Sequence, residues 1–201
     1  MVNIGKREDS MAKSFKSVGL IAEDKSDIES LSILIKRICN TSSINIKGVS
    51  ANGCGMLRRK CKPWADQLKI KGCEKLVVVH DLDRNDQKTL HANLVNTLNS
   101  CPFKSYLICI PVEEIEAWLL ADVSAIKKVL NLKVALKEIF HPELVKSPKE
   151  HLYRLVEKTS SGEKYFIHTI HNPKIFEFVD IGILAKKCPS FKLLYNFFTK
   201  K

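Results

Sequence analysis

The stretch Leu76-Val77-Val78-Val79-His80-Asp81-Leu82-Asp83-Arg84 decides the fold. Its first four residues are aliphatic without a polar interruption, as in a strand buried on both faces, and such strands belong to parallel sheets covered by helices. Charge then arrives abruptly, so the carboxyl end of this strand opens onto an acidic loop. Upstream, Val18-Gly19-Leu20-Ile21-Ala22 is a second such run, followed by Glu23-Asp24-Lys25-Ser26-Asp27. A helical repeat comes next, with Leu31, Leu34, Ile35 and Ile38 at i, i+3, i+4 and i+7. Strand followed by helix is the opening of a βα unit.

Residues 44–49 and 106–110 read as further strands, the latter stopped by Pro111, while 56–71 and 86–98 read as helices. The alternation predicts an α/β fold of Rossmann-like kind, a mainly parallel sheet of about four strands flanked by helices and joined by right-handed crossovers. Beyond Pro111 the alternation stops, and 113–120, 124–130, 148–158 and 191–198 read as helices. The expected organisation is a flexible basic arm over 1–16, an α/β core over 17–122 and a C-terminal helical extension over 123–201 packed on the core. Phe191, Leu194, Tyr195 and Phe198 share one apolar helix face, which suits either internal packing or a homo-oligomer contact.

Composition narrows the class. With 201 residues, 45% hydrophobic and 27% charged, the chain has the make-up of an ordinary globular domain. No run approaches the ~18 uncharged apolar residues that cross a bilayer, and the opening residues lack the apolar core of a signal peptide, so a cytoplasmic protein without membrane contact is expected. The seven cysteines are odd in number and include no Cys-x-x-Cys pair, which reads as reduced thiols filling the core. A zinc set of Cys54, Cys61, Cys73 and His80 matches no common spacing. The net charge of +11 is uneven: windows 23–29, 81–86 and 113–122 hold eleven acids against two bases, and the rest holds thirty-one bases against eleven acids. A basic surface around an acidic centre suits a polyanionic partner, nucleic acid above all.

Ligands of parallel α/β sheets gather at the carboxyl ends of the strands, where all three acidic clusters fall. Taken singly, Glu23 to Asp27 reads as a helix cap, Asp81-Leu82-Asp83 as a turn, and Glu113, Glu114 and Glu116 as first-turn helix acids. Taken together they would repel one another without a cation between them, and hard carboxylate oxygens suit Mg²⁺ or Mn²⁺. Strand alternation sends Leu82 inward and both flanking carboxylates the same way, a spacing for holding one metal or bridging two. Arg58, Arg59, Lys60 and Lys62, with Trp64 nearby, read either as a strand-binding edge or as a solvated helix face. Lys25 and Arg84 stand beside the acids, to bind a phosphate oxygen or to be solvated. Trp118 reads as core, and His80 as a supporting residue or merely a strand end.

Residues 21–27, 76–84 and Ile-Pro-Val-Glu-Glu-Ile-Glu-Ala-Trp-Leu-Leu-Ala-Asp at 110–122 together resemble the TOPRIM fold, the topoisomerase–primase catalytic domain. With Cys-Pro-Ser-Phe at 188–191 the chain is similar, more narrowly, to small stand-alone TOPRIM-like proteins encoded beside an ATPase in bacterial phage-defence loci. The resemblance implies a Mg²⁺- or Mn²⁺-dependent nuclease, cutting DNA or RNA as an antiviral effector with an ATPase partner. It implies Glu23, Asp27, Asp81 and Asp83 as metal ligands, with Glu116 as the later acid, and Glu23, Asp81 and Asp83 as catalytic. Lys25, Arg58, Arg59, Lys60, Lys62 and Arg84 are the cations expected to meet the nucleic acid. Asp24 stands where the TOPRIM glutamate is usually followed by glycine, which gives a rival expectation: a non-catalytic subunit that binds nucleic acid or docks on the ATPase. No phosphate-binding Gly-x-x-x-x-Gly-Lys-Ser/Thr motif is present, so ATP hydrolysis would fall to the partner.

Overall fold

The computed structural model describes residues 15–200. Four strands, β1 (Ser17–Ala22), β2 (Asn45–Ser50), β3 (Lys75–Val79) and β4 (Tyr106–Cys109), form one sheet in the order β2-β1-β3-β4, every pair parallel. Helices α1 (Lys25–Ile38), α2 (Cys54–Ile70) and α3 (Gln87–Thr97) connect them. After β4 come α4 (Glu116–Leu119), α5 (Val123–Val129), a 3-10 turn (Pro142–Leu144), α6 (Pro148–Thr159), α7 (His168–Phe176), α8 (Ile181–Lys187) and α9 (Pro189–Thr199). The expected Rossmann-like α/β fold with a helical carboxyl-terminal part is the observed one.

The strand pattern explains the layers. Val18, Leu20 and Ala22 of β1 and Val77 and Val79 of β3 point into one apolar cluster, while Ile21, Leu76 and Val78 point into another on the opposite face. A period of two with apolar residues at both phases is what a sheet covered on both faces requires. The second cluster is closed by α2 and α3 through Leu57, Cys61, Leu68, Leu90 and Leu94. The first is closed by α1 and the helical extension, with Leu31, Leu34, Trp118, Phe176 and Phe191 all buried. Gly48 of β2 lets α1 lie close, since a Cβ there would fall 2.2 Å from Ile28 Cγ2.

The extension is knitted into this core. Trp118 is fully buried, as expected, with Nε1 donating to Ser190 Oγ at 2.8 Å and its ring edge-on to Phe191 at 5.3 Å. Ser190 Oγ in turn bonds the buried Glu143 carboxylate, which also accepts from Ser190 N at 3.1 Å and so serves the amino terminus of α9. Phe191, Leu194 and Phe198 are buried within the first cluster, so the apolar face of α9 is spent on internal packing.

Several expectations need correction. The helix expected over 113–120 shrinks to Glu116–Leu119, because Glu113 has a left-handed backbone (φ 61°) and residues 111–115 form a loop. Helices α7 and α8 add to those expected from the sequence pattern. The arm expected over 1–16 lies outside the described residues up to 14, and its last two residues are anchored: Phe15 packs on Phe198 at 5.5 Å and Lys16 N donates to Glu74 at 3.1 Å. Among the described residues no helix is long and apolar enough to cross a membrane.

Candidate metal centre

The acids meet where the sheet's topology sends them, beyond the carboxyl ends of β1, β3 and β4. Glu23 follows β1 directly. Its Oε1 accepts from Asp81 N at 3.1 Å and stands 3.1 Å from His80 Nδ1. That imidazole nitrogen also lies 2.7 Å from the Asp81 carbonyl oxygen, so both neighbours are acceptors and Nδ1 carries the proton. His80 is completely buried and its Nε2 has no partner. Burial pushes the Glu23 carboxyl up to about 7, helped by the charge of Asp83 and opposed by the Asp81 N–H and by Arg58.

Asp24 opens α1. Its Oδ1 accepts from Asp27 N at 3.0 Å while Asp27 Oδ2 accepts from Asp24 N at 3.2 Å, a reciprocal capping box. Asp24 therefore fixes the start of the helix and with it the position of Asp27. Burial, then Asp24 and Glu116, raise the Asp27 carboxyl to about 8. Asp81 Oδ1 accepts from Ile115 N at 3.1 Å, which ties the loop after β3 to the loop after β4. Its pKa is raised well above the ordinary range by burial, followed by the charges of Asp27, Glu116, Glu23 and Asp83. Glu116, the first residue of α4, is raised as well, chiefly by burial.

Asp81 and Asp83 do not act as the expected matched pair. Strand pairing continues past β3 as far as Leu82, whose N donates to Pro111 O at 3.1 Å, and Leu82 packs on the second cluster as alternation demands. Asp83 (φ 46°) and Arg84 (φ 63°) then turn left-handed and break the alternation. The Asp83 carboxylate comes out beside Glu23 and Cys54, where one donor atom from each of the three lies within 4.8 Å of the others. Asp27, Asp81 and Glu116 form a second, more buried group, coupled to the first through Glu23.

The extension supplies three residues that the sequence pattern does not single out. Lys149 of α6 reaches Glu114 Oε1 at 3.7 Å and Glu116 Oε1 at 3.8 Å, and its backbone N–H donates to Glu114 Oε2 at 3.0 Å. Burial works against its charge, yet Glu116, Glu114, Asp81 and Asp27 together hold the ammonium above its ordinary value. Asn172 of α7 is wholly buried and gives Nδ2 to Glu116 Oε1 at 3.0 Å, leaving Oδ1 without a partner. His168, one turn earlier on α7, bonds Tyr153 at 3.3 Å, and burial, then the charge of Lys149, holds its pKa below the ordinary value against Asp24 and Glu114.

The expected nucleic-acid cations divide. Arg58 is half-buried at the acid centre, with Nη2 3.7 Å from Cys54 Sγ. Arg59 and Lys60 are exposed on α2, Lys62 is engaged by Asp66 at 2.7 Å, and Trp64 packs on the second cluster. Lys25 leans toward Glu29 at 3.8 Å, and Arg84 donates to Ser147 Oγ at 3.2 Å. A polar cleft of about 200 Å³ beside Arg84 is lined by Asp83, Glu113, Glu114, Ser147 and Glu150. The imagined zinc set does not assemble, since Cys61 and Cys73 are buried in the second cluster, away from Cys54. The donor chemistry suits a divalent cation: converging carboxylates, bordered by two buried polar atoms with no partner, His80 Nε2 and Asn172 Oδ1.

Fold and site together define an α/β protein with an acidic centre at the carboxyl edge of a parallel sheet. Residues 22–198 match the family model described as Domain of unknown function (DUF4276), and the chain belongs to that family. No curated protein and no solved structure matches it.

Proposed function

We propose that this protein is a metal-dependent nuclease of TOPRIM type that cleaves phosphodiester bonds in DNA or RNA. The observation that carries this reading is the convergence of Glu23, Asp27, Asp81, Asp83 and Glu116 from three loops onto one sheet edge, within a chain of net charge +11. Glu23 and Asp83 would hold one Mg²⁺ or Mn²⁺, with Asp27, Asp81 and Glu116 as the buried acids behind them. A divalent cation held by these residues would supply polarisation of the phosphoryl oxygen and stabilisation of charge on the leaving oxygen. Glu23 is oriented by the Asp81 N–H on its Oε1, with the His80 ring behind it, and would accept a proton from the attacking water. Arg58 offers its guanidinium to a phosphate oxygen at the edge of the site, and Arg59 and Lys60 continue that positive surface outward. The resemblance supports the further reading of an antiviral effector that works with an ATPase partner, and reconstitution with that partner tests it.

The test is cleavage of plasmid and of RNA with Mg²⁺ or Mn²⁺. Glu23→Gln and Asp81→Asn are expected to lower the rate by about 100-fold or more with the fold retained. Undiminished cleavage by both variants would overturn the reading. Lys149 favours a second one: an ammonium already neutralising Glu114 and Glu116 suits a non-catalytic subunit whose acids are structural. Titration calorimetry separates the two, because tight nucleic-acid binding with no Mg²⁺ or Mn²⁺ uptake belongs to the second alone.

A further inference from the structure

We infer that Cys54 is a metal ligand, and that Glu23, Cys54 and Asp83 form a mixed carboxylate and thiolate site for a borderline divalent cation of the zinc class. The inference rests on the metal reading above and deepens it by naming the cation that the outer donor set selects.

Three separate loops bring these donors together. Ala51 N donates to Ala22 O at 2.9 Å and Gly53 N to Glu23 O at 3.2 Å, which pins the amino terminus of α2 against the residue after β1. Gly53 holds φ at 122°, a backbone that side chains rarely adopt, and delivers Cys54 as the first residue of α2. Asp83 is presented by its left-handed turn and by its N–H to Glu113 O at 3.2 Å. A cation with bonds of about 2.0–2.3 Å places its donors within roughly 4 Å of each other, so the observed spread within 4.8 Å closes by small side-chain rotations.

The surroundings are those of a liganding thiol. Cys61, Cys73, Cys109 and Cys188 are buried in apolar clusters, whereas Cys54 is half-buried among carboxylates. Arg58 Nη2 at 3.7 Å offers an N–H to the sulfur. His80, fully buried, backs Glu23 with Nδ1 3.1 Å from Oε1 while that nitrogen bonds the Asp81 carbonyl oxygen, and its Nε2 stays unpartnered. Sulfur binds zinc-class ions in preference to Mg²⁺, and coordination deprotonates the thiol, its proton passing to solvent. Zn²⁺ held here takes Glu23 and Asp83 away from Mg²⁺, making it an antagonist of any Mg²⁺-dependent activity of the edge.

The test uses Co²⁺ as a spectroscopic probe on the whole protein, with binding measured by equilibrium dialysis and folding by circular dichroism. Wild type is expected to give a thiolate-to-cobalt charge-transfer band that Zn²⁺ abolishes by displacement. Cys54→Ser is expected to lose the band and to bind Zn²⁺ more weakly, by at least the roughly 10–100-fold that loss of an outer-shell partner costs. Co²⁺ bound by wild type without the band, or a band that survives in Cys54→Ser, overturns the inference and leaves the carboxylate reading standing. Uptake of neither Co²⁺ nor Mn²⁺ overturns both.

Discussion

His80 Nδ1 stands 3.1 Å from Glu23 Oε1 inside a completely buried imidazole whose hydrogen bond goes to the Asp81 carbonyl oxygen, so one ring fixes the backbone after β3 and backs the acid after β1. Burial holds the His80 pKa below its ordinary value, which keeps the ring neutral at pH 7 and its single proton on Nδ1. His80→Asn retains a donor near the Nδ1 position, whereas His80→Leu removes it. Thermal unfolding should show His80→Leu destabilised by about 1–3 kcal/mol. Metal affinity measured alongside should fall further in His80→Leu than in His80→Asn, an order that loss of packing alone does not predict.

The buried acids set the direction of the pH dependence. Asp27 and Glu23 ionise near 8 and 7 in the fold against ordinary values of 3.8 and 4.5, so between roughly pH 4 and pH 8 the folded protein holds protons that the unfolded chain has released. Their contribution is full at the acid end of that window and is lost as pH rises through 7 and 8. Without metal, the melting temperature should therefore fall from pH 5.5 to pH 8 as far as these groups govern it. Mn²⁺ should flatten the slope by binding the ionised form. A slope unchanged by Mn²⁺ would refute this account.

Lys149 carries the opposite charge into the same edge. Lys149→Met leaves Glu114 and Glu116 without their ammonium, and because that side chain is only 28% exposed the loss should cost about 1–3 kcal/mol at pH 7.5. At pH 5.5 the deficit should shrink, since Glu116 is more protonated there. Denaturant unfolding at the two pH values measures the difference.

Arg59 and Lys60 are exposed on α2, so under the proposed function they would meet phosphates only through charge. Replacing both with alanine should weaken nucleic-acid binding evenly across sequences. It should also reduce the slope of log affinity against log salt by about 2, near 0.9 for each duplex phosphate no longer neutralised. Fluorescence anisotropy over a salt series checks the slope.

Packing makes one demand that no charge relieves. Gly48→Ala places a methyl group 2.2 Å from Ile28 Cγ2, and the displacement of α1 or β2 should cost about 1–3 kcal/mol. Gly55→Ala, whose Cβ meets nothing within 4 Å, is the matched control in the same melting experiment.

Legibility follows the strength of local pattern. β1 and β3 are plain because uninterrupted aliphatic runs have few other uses, and the acids beyond them stand out because they break those runs sharply. The separation of Asp81 from Asp83 is hidden, for the left-handed turn that parts them involves an aspartate and an arginine rather than a glycine. Cys54 is, by spacing, one of several thiols, and only the fold of the 51–54 loop sets it beside Glu23. Helix α7 escapes a pattern search because Pro173 lies inside it and its buried face carries Asn172, leaving a weak apolar stripe. Lys149 is one lysine among many, and its distinction is tertiary.

The origin of Lys149 and Asn172 in α6 and α7 has a temporal side. During synthesis the sheet and all five carboxylates of its edge emerge first, and the ammonium and amide that serve Glu116 follow only when the later helices are made. A chain interrupted after Asp122 would hold its acids in mutual repulsion with that partner missing and one face of its sheet short of its cover. Completion of the edge is thus tied to completion of the polypeptide, and an unfinished chain does not carry a finished site.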